Sequence, residues 1–179
     1  RLMVEAAADM PANANFRYDL VDITRQAVAE RARLVYNEIV AAYKAHDRKM
    51  FRHSTQRFLR LLLQQDRLLS SIPDFMVGRW IKQARSIATN AAEADHYEWN
   101  ARTQITVWGN RQAAEQGGLR EYAHKEWSGV LRDFYYPRWK AYFEALAATL
   151  DGKPMKDIDF YAMDEKWTLL HNVYPYEAQ

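Results

Sequence analysis

The chain has 179 residues, the size of one domain able to remove roughly 70% of its extended-chain surface from water. Its 25 Lys and Arg stand against 23 Asp and Glu, a formal charge of +2 spread over a mixed surface, which argues against nucleic-acid binding. It holds no cysteine, which excludes a disulfide framework, a thiolate metal site and a cysteine nucleophile while leaving the compartment open, and no run approaches the ~18 consecutive apolar residues of a membrane span.

Residues 1 to 17 show no clear period and read as a lead-in. From Asp19 to about Lys44, Leu20, Ile23, Ala27, Leu34, Val35, Ile39 and Ala42 recur at helical spacing, and Asp19 and Asp22 sit at the positive end of the helix dipole. A second amphipathic helix is predicted from about Arg48 to Ser70, ended by Ile72-Pro73, because proline disfavours helix in the residue before it. A shorter third helix carries Trp80, Ile81, Ala84, Ile87 and Ala88. Asn90 with Glu93 three positions on forms a capping box that opens a fourth, its stripe running Tyr97, Ala101, Ile105 and Trp108 to a glycine cap at Gly109. Thr103 to Val107 is rich in β-branched residues, yet the helical period passes through it unbroken, so helix is preferred to strand.

Asn110 to Gly118 is polar, ends in two glycines and reads as an exposed loop. A fifth helix is expected to carry Leu119, Tyr122, Ala123, Val130, Leu131 and Phe134. Pro137 opens a sixth, where a missing N–H costs least, and Gly152 and Pro154 stop it. A last helix runs from about Ile158 to Val173. The fold class is therefore all-α, a bundle of six to seven helices whose short connections make neighbours antiparallel.

Two Glu-x-x-His units, Glu93 with His96 and Glu121 with His124, suggest a di-iron bundle. The order is wrong, since a bridging glutamate belongs on a helix between the units and only the loop with Glu115 lies there. No metal site and no cofactor is expected. Glu93, Asp95 and Glu98 cluster as the paired carboxylates of a glycosidase would, but acids at a helix start are explained by the dipole. The six tryptophans mostly fall on or beside apolar stripes, where core packing is the simpler role.

Four runs carry a likeness to a known family: Tyr18 to Gln26 (YDLVDITRQ), Asn100 to Gly109 (NARTQITVWG), Tyr122 to Gly129 (YAHKEWSG) and Tyr135 to Trp139 (YYPRW). In order and spacing they resemble the C-terminal helical domain of the α-N-acetylglucosaminidases of glycoside hydrolase family 89, over roughly Tyr18 to Leu150. The resemblance implies that residues 18–179 are an accessory domain of a larger, exo-acting glycosidase that removes terminal α-linked N-acetylglucosamine with retention, for instance from heparan-sulfate-type glycans. It implies as partners the catalytic (β/α) barrel of the same polypeptide and the glycan, and an extracytoplasmic setting, exported in bacteria and lysosomal in animals. The family's catalytic glutamates lie on the barrel, so no catalytic residue is expected in this chain.

The domain would pack on the barrel and close one side of the substrate cleft. Trp108 is the first candidate for that wall, with Leu119 and Tyr122 across the loop; Arg102 and Arg138 are expected to be structural. The alternative is a self-standing helical interaction or di-metal-binding bundle. The start at Arg1, without an initiator methionine, fits a processed protein, an excised domain or a chain resolved only in part.

Overall fold

The computed structural model describes residues 2–10, 13–118 and 120–178. It is all-α: α1 (Leu2–Ala6), α2 (Ala14–Lys44), α3 (Arg48–Leu69), a 3-10 turn (Pro73–Phe75), α4 (Val77–Ser86), α5 (Ala91–Gln104), α6 (Arg111–Glu115), a π turn (Leu131–Tyr135) leading into α7 (Tyr136–Leu150), and α8 (Phe160–Thr168). Six of these helices have seven residues or more, and among the described residues no strand forms.

α2 begins at Ala14, inside the segment read as a lead-in, because the Asn13 side chain accepts the Phe16 N–H and satisfies an otherwise orphaned donor. α3 folds back along α2 through a turn in which His46 takes the left-handed conformation, φ 54°, while the Asp47 N–H donates to the Ala42 carbonyl. The faces so apposed bury Val35, Ile39, Ala42, Phe51 and Phe58 against Phe143 and Leu150 of α7. Trp139 completes this core, its ring centroid 4.8 Å from Phe58, 5.3 Å from Phe143 and 5.7 Å from Tyr36. Aromatic pairs at such separations add about 0.5–1.5 kcal/mol each to the area they bury. A second core joins Leu69, Phe75, Val77, Ile81 and Ile105 to Val130, Leu131, Phe134, Trp167 and Tyr174.

Three sequence expectations change. The helix expected over Leu119 to Phe134 does not form: residues 120–128 are turns and irregular backbone, and helix starts only at Val130. Pro137 stands in the first turn of α7, as expected, but that helix runs on directly from the residues before it. It follows a π turn in which the Tyr136 N–H reaches back to the Leu131 carbonyl, widening the coil where the proline ring would clash with the carbonyl four residues earlier. α8 stops at Thr168, not near Val173, because residues 169–178 leave the helical path to lie over α4 and α5.

That tail is held closely. Arg102 Nη2 donates to the backbone and side-chain oxygens of Asn172 at 3.1 Å each, and Trp167 Nε1 donates to the Tyr174 hydroxyl at 3.1 Å. Gly78 faces it so tightly that a Cβ there would lie 2.1 Å from the Pro175 carbonyl oxygen. Tail and bundle are thus one packed unit.

Candidate functional site

α5 ends at Gln104, one turn earlier than its apolar stripe implies. Thr106 Oγ1 donates back to the Arg102 carbonyl at 2.7 Å, and the Trp108 N–H reaches the Thr103 carbonyl at 2.8 Å, closing the helix end. Trp108 itself, and not Gly109, takes the left-handed conformation, φ 64°. This throws the indole off the stripe: Ile105 is buried, whereas Trp108 is 41% exposed.

The loop expected at Asn110 to Gly118 contains α6, capped by the Asn110 side chain on the Ala113 N–H. It is tied to α8 by a bidentate Arg111 to Asp159 pair at 3.0 and 2.7 Å and by the Tyr161 hydroxyl, which donates to the Gly109 carbonyl at 3.1 Å. Beyond it, the Glu121 N–H donates to the Thr106 carbonyl at 2.7 Å. That bond brings the next residue, Tyr122, against Trp108, with ring centroids 5.6 Å apart and planes at 52°. Tyr122 is 73% exposed, so the pair forms an aromatic edge in solvent. The third candidate, Leu119, lies outside the described residues.

Glu121 and His124 also have positive φ, 61° and 36°, so three of the four non-glycine residues of that kind among the described residues fall between 108 and 124. Each costs on the order of 1–3 kcal/mol, and such strain gathers where a site is held in one shape. The supports are visible. Arg138 holds the Glu121 carboxylate, and its Nε lies 3.2 Å from Asp164 Oδ1, a charge contact without hydrogen-bond geometry. Asp164 is fully buried and neither of its oxygens receives a hydrogen bond from a described residue. Burial pushes its carboxyl up to about 7, with Arg138 and Arg120 pulling it down and Glu121 pushing it further up.

The far end of the loop is anchored by Asp66, which accepts the N–H groups of Gly129 at 2.6 Å and Arg132 at 3.2 Å. Burial raises the Asp66 carboxyl, and those two donors together with the Arg132 guanidinium act against that rise. Ser128 bridges to the 3-10 turn and to α4: its N–H donates to the Phe75 carbonyl at 2.8 Å and its carbonyl accepts the Val77 N–H at 3.1 Å.

The other sequence candidates serve the fold. The Glu93 side chain accepts from the Thr89 N–H and hydroxyl, which lowers its pKa; Asp95 and Glu98 both bind Arg85. Glu98 is buried and also accepts Arg102 Nε and Nη2 at 2.9 and 2.6 Å. Arg102 and Arg138 thus have the structural roles expected of them. With Glu93 on a cap and Glu121 on Arg138, the two Glu-x-x-His units do not converge, and among the described residues no group of three His, Asp or Glu could hold a metal. Nor is any described helix long and apolar enough to cross a membrane.

Sequence reasoning missed a groove beside Trp108, about 510 Å³ in volume and lined by Trp80, Trp127, Gln83, Gln104 and Lys125. Trp80 falls on the apolar stripe of its helix and Trp127 beside one, which signals packing; both do pack on the core while staying partly exposed, and only that exposure reveals the groove.

Fold and edge together define a helical domain of the kind found within family 89 glycoside hydrolases. The enzyme of that family from Clostridium perfringens, in complex with PUGNAc, superimposes with a TM-score of 0.95 at 33% identity, covering 99% of this chain and 21% of that one. Its form in complex with its substrate GlcNAc-alpha-1,4-galactose gives 0.94 at 34% identity, covering 98% and 20%. The human alpha-N-acetylglucosaminidase is 35% identical over 181 residues, 98% of this chain and 24% of that protein. The family described as Alpha-N-acetylglucosaminidase (NAGLU) C-terminal domain matches residues 1–179, and the chain belongs to that family. It spans about a quarter of the human relative's length and a fifth of the bacterial one's.

Proposed function

We propose that this chain is the accessory domain of an exo-acting α-N-acetylglucosaminidase, which hydrolyses terminal α-linked N-acetylglucosamine, and that it packs on a catalytic barrel to form one wall of the substrate cleft. The observation that carries the reading is Trp108, an indole 41% exposed in a left-handed backbone conformation that the fold maintains at a cost. An exposed indole offers a flat C–H-binding face to a pyranose, and Tyr122 beside it adds a second face with a hydroxyl. Leu119, three positions before Tyr122 in the sequence, is the third residue proposed for this wall.

Retaining glycoside hydrolysis needs a nucleophile and an acid/base carboxyl facing each other across the bond. Glu121, beside this edge, is held by Arg138, and the buried Glu98 by Arg102 and Arg85, so the chemistry is assigned to the barrel. The domain's contribution is positional: a rigid wall orients the sugar ring and excludes water from it. The chain alone therefore turns over no chromogenic α-N-acetylglucosaminide. The whole enzyme is extracytoplasmic, lysosomal in animals and exported in bacteria.

In the whole enzyme, Trp108→Ala is expected to raise KM for a terminal α-N-acetylglucosaminide about tenfold, close to 1.4 kcal/mol of lost binding, with a smaller change in kcat. Steady-state kinetics check this. An unchanged KM in a variant that melts normally removes the residue from the cleft.

A further inference from the structure

We infer that Asp164, whose buried carboxyl no sugar can reach, is a positioning residue for the sugar-facing edge and acts by competing with Glu121 for the single guanidinium of Arg138; the inference rests on the cleft-wall reading above. Both oxygens of Asp164 and the Nε of Arg138 are buried and make no hydrogen bond among the described residues, although Nε and Oδ1 lie only 3.2 Å apart. A buried donor and a buried acceptor left unpaired side by side are costly, so something holds one of them elsewhere. The holder is Glu121, whose carboxylate takes Nη1 of the same guanidinium.

The arrangement is a pivot. The Arg138 guanidinium carbon stands 5.1, 5.8 and 5.6 Å from the rings of Phe134, Tyr135 and Phe160, and the side chain is 16% exposed, so it turns within this aromatic box more easily than it leaves it. A planar guanidinium presents a rigid fork, so turning Nε into line with Asp164 takes Nη1 off Glu121. Glu121 can ill spare it. Its φ of 61° is strained, its N–H on the Thr106 carbonyl sets the path of the loop, and the next residue is Tyr122, its ring centroid 5.6 Å from that of Trp108.

The charge on Asp164 decides the competition. Neutral, it offers Arg138 little, and the Glu121 carboxylate keeps the guanidinium; ionised, it adds a full negative charge from inside the protein, where attraction is less screened. Burial pushes the Asp164 carboxyl up to about 7, with Arg138 of α7 and Arg120 of the loop pulling it down and Glu121 pushing it up. The π turn brings the Tyr135 phenol, which burial keeps neutral. On α5, Arg102 and Glu98 bind each other; on α6, Arg111 is engaged with Glu115 and Asp159. The edge is therefore held below about pH 7 and loosened above it.

The test compares the whole enzyme with its Asp164→Asn, Glu121→Gln and Trp108→Ala variants, by steady-state kinetics on a terminal α-N-acetylglucosaminide at pH 5 and pH 8. Acids of the barrel titrate alike in parent and variant, so the readout is the ratio of their KM values at each pH. Parent and Asp164→Asn should agree within about 1.5-fold at pH 5, and the parent's KM should be about threefold the higher at pH 8. Glu121→Gln surrenders the guanidinium at both pH values, so its KM should exceed the parent's about threefold at pH 5 and match it at pH 8. A merely structural Asp164 would change kcat through the folded fraction and leave KM alone. A KM ratio that does not change with pH, in Asp164→Asn or, if that variant fails to fold, in Glu121→Gln, would overturn the inference. If Trp108→Ala raises KM in that same experiment, the cleft wall stands without it; if Trp108→Ala leaves KM unchanged, wall and positioning role fall together.

Discussion

Replacing Arg102 with methionine is expected to lower the thermal midpoint of the 179-residue chain by roughly 10 °C, the equivalent of about 3–4 kcal/mol at this size. The guanidinium is completely buried. It forks onto Glu98 Oε1 at 2.9 and 2.6 Å, reaches both oxygens of Asn172, and stands 4.8 Å from the Trp167 ring and 5.3 Å from that of Tyr174. Methionine fills much of the volume but leaves the Glu98 carboxylate, 4% exposed, with only the half-exposed Arg85 at 2.6 Å and the exposed His171 ring at 3.8 Å beside it. It also strips the tail of the donor that binds Asn172. Stranding one charge of a buried pair costs more than the pair itself contributes, and that asymmetry sets the size of the effect. Arg102→Lys should recover less than half of the loss, because an ammonium cannot reproduce the planar fork. Calorimetry measures both; a shift under about 3 °C for methionine would mean that Arg85 and water satisfy Glu98 unaided.

The second large effect depends on pH. Asp164 has its carboxyl pushed from the ordinary 3.8 up to about 7 by burial, so the folded chain keeps a proton that the unfolded chain has already released. Below about pH 4 both states are protonated and the group is neutral in its effect. As pH rises towards 7 the unfolded state alone is ionised and stability falls; above 7 the loss is complete. That displacement corresponds to on the order of 4 kcal/mol. The groups that set this are Arg138 on α7 and Arg120 and Glu121 on the loop.

An Asp164→Asn chain lacks the ionisation, so its stability relative to the parent should improve by on the order of 3 kcal/mol between pH 5 and pH 8. Urea unfolding at both pH values gives the difference directly. A constant gap would show Asp164 already ionised at pH 5. Since Arg138 connects Asp164 to Glu121, and Glu121 precedes Tyr122, this buried acid also supports the aromatic edge.

What the sequence reveals and what it hides divide along physical lines. Local signals were legible: Asn90 accepts the Glu93 N–H as the capping box implies, and the Lys153 N–H closes α7 onto Ala148 across Gly152, whose φ is 77°. The long stripes of α2 and α3 were legible because both bury one face against a neighbour. The segment from Tyr122 to Leu131 misled, since its apolar residues keep a helical period. There, tertiary bonds decide the backbone: Glu121 to Thr106, Ser128 to α4 and Gly129 to Asp66. The end of α8 misled in the same way. Leu170 and Val173 continue the period, yet Asn172 and Tyr174 find their partners on α5 and Trp167 only if the helix stops.

Of the candidate site, Trp108 was legible as a residue at a helix end beside a glycine, though not the left-handed turn that exposes it. Arg102 could be read as structural without its partner on the tail being foreseeable. The groove between Trp80 and Trp127 was invisible, because one indole can pack on a core with one face and leave the other open.

The central claim is that the Trp108 indole faces the sugar pocket of a larger enzyme. Oxidative footprinting of that whole enzyme, read by mass spectrometry with and without saturating N-acetylglucosamine, tests it directly. Trp99, on α5 and 39% exposed, is the internal reference. The account predicts that the sugar slows Trp108 oxidation at least threefold and leaves Trp99 unchanged; equal oxidation of Trp108 with and without the sugar would contradict it.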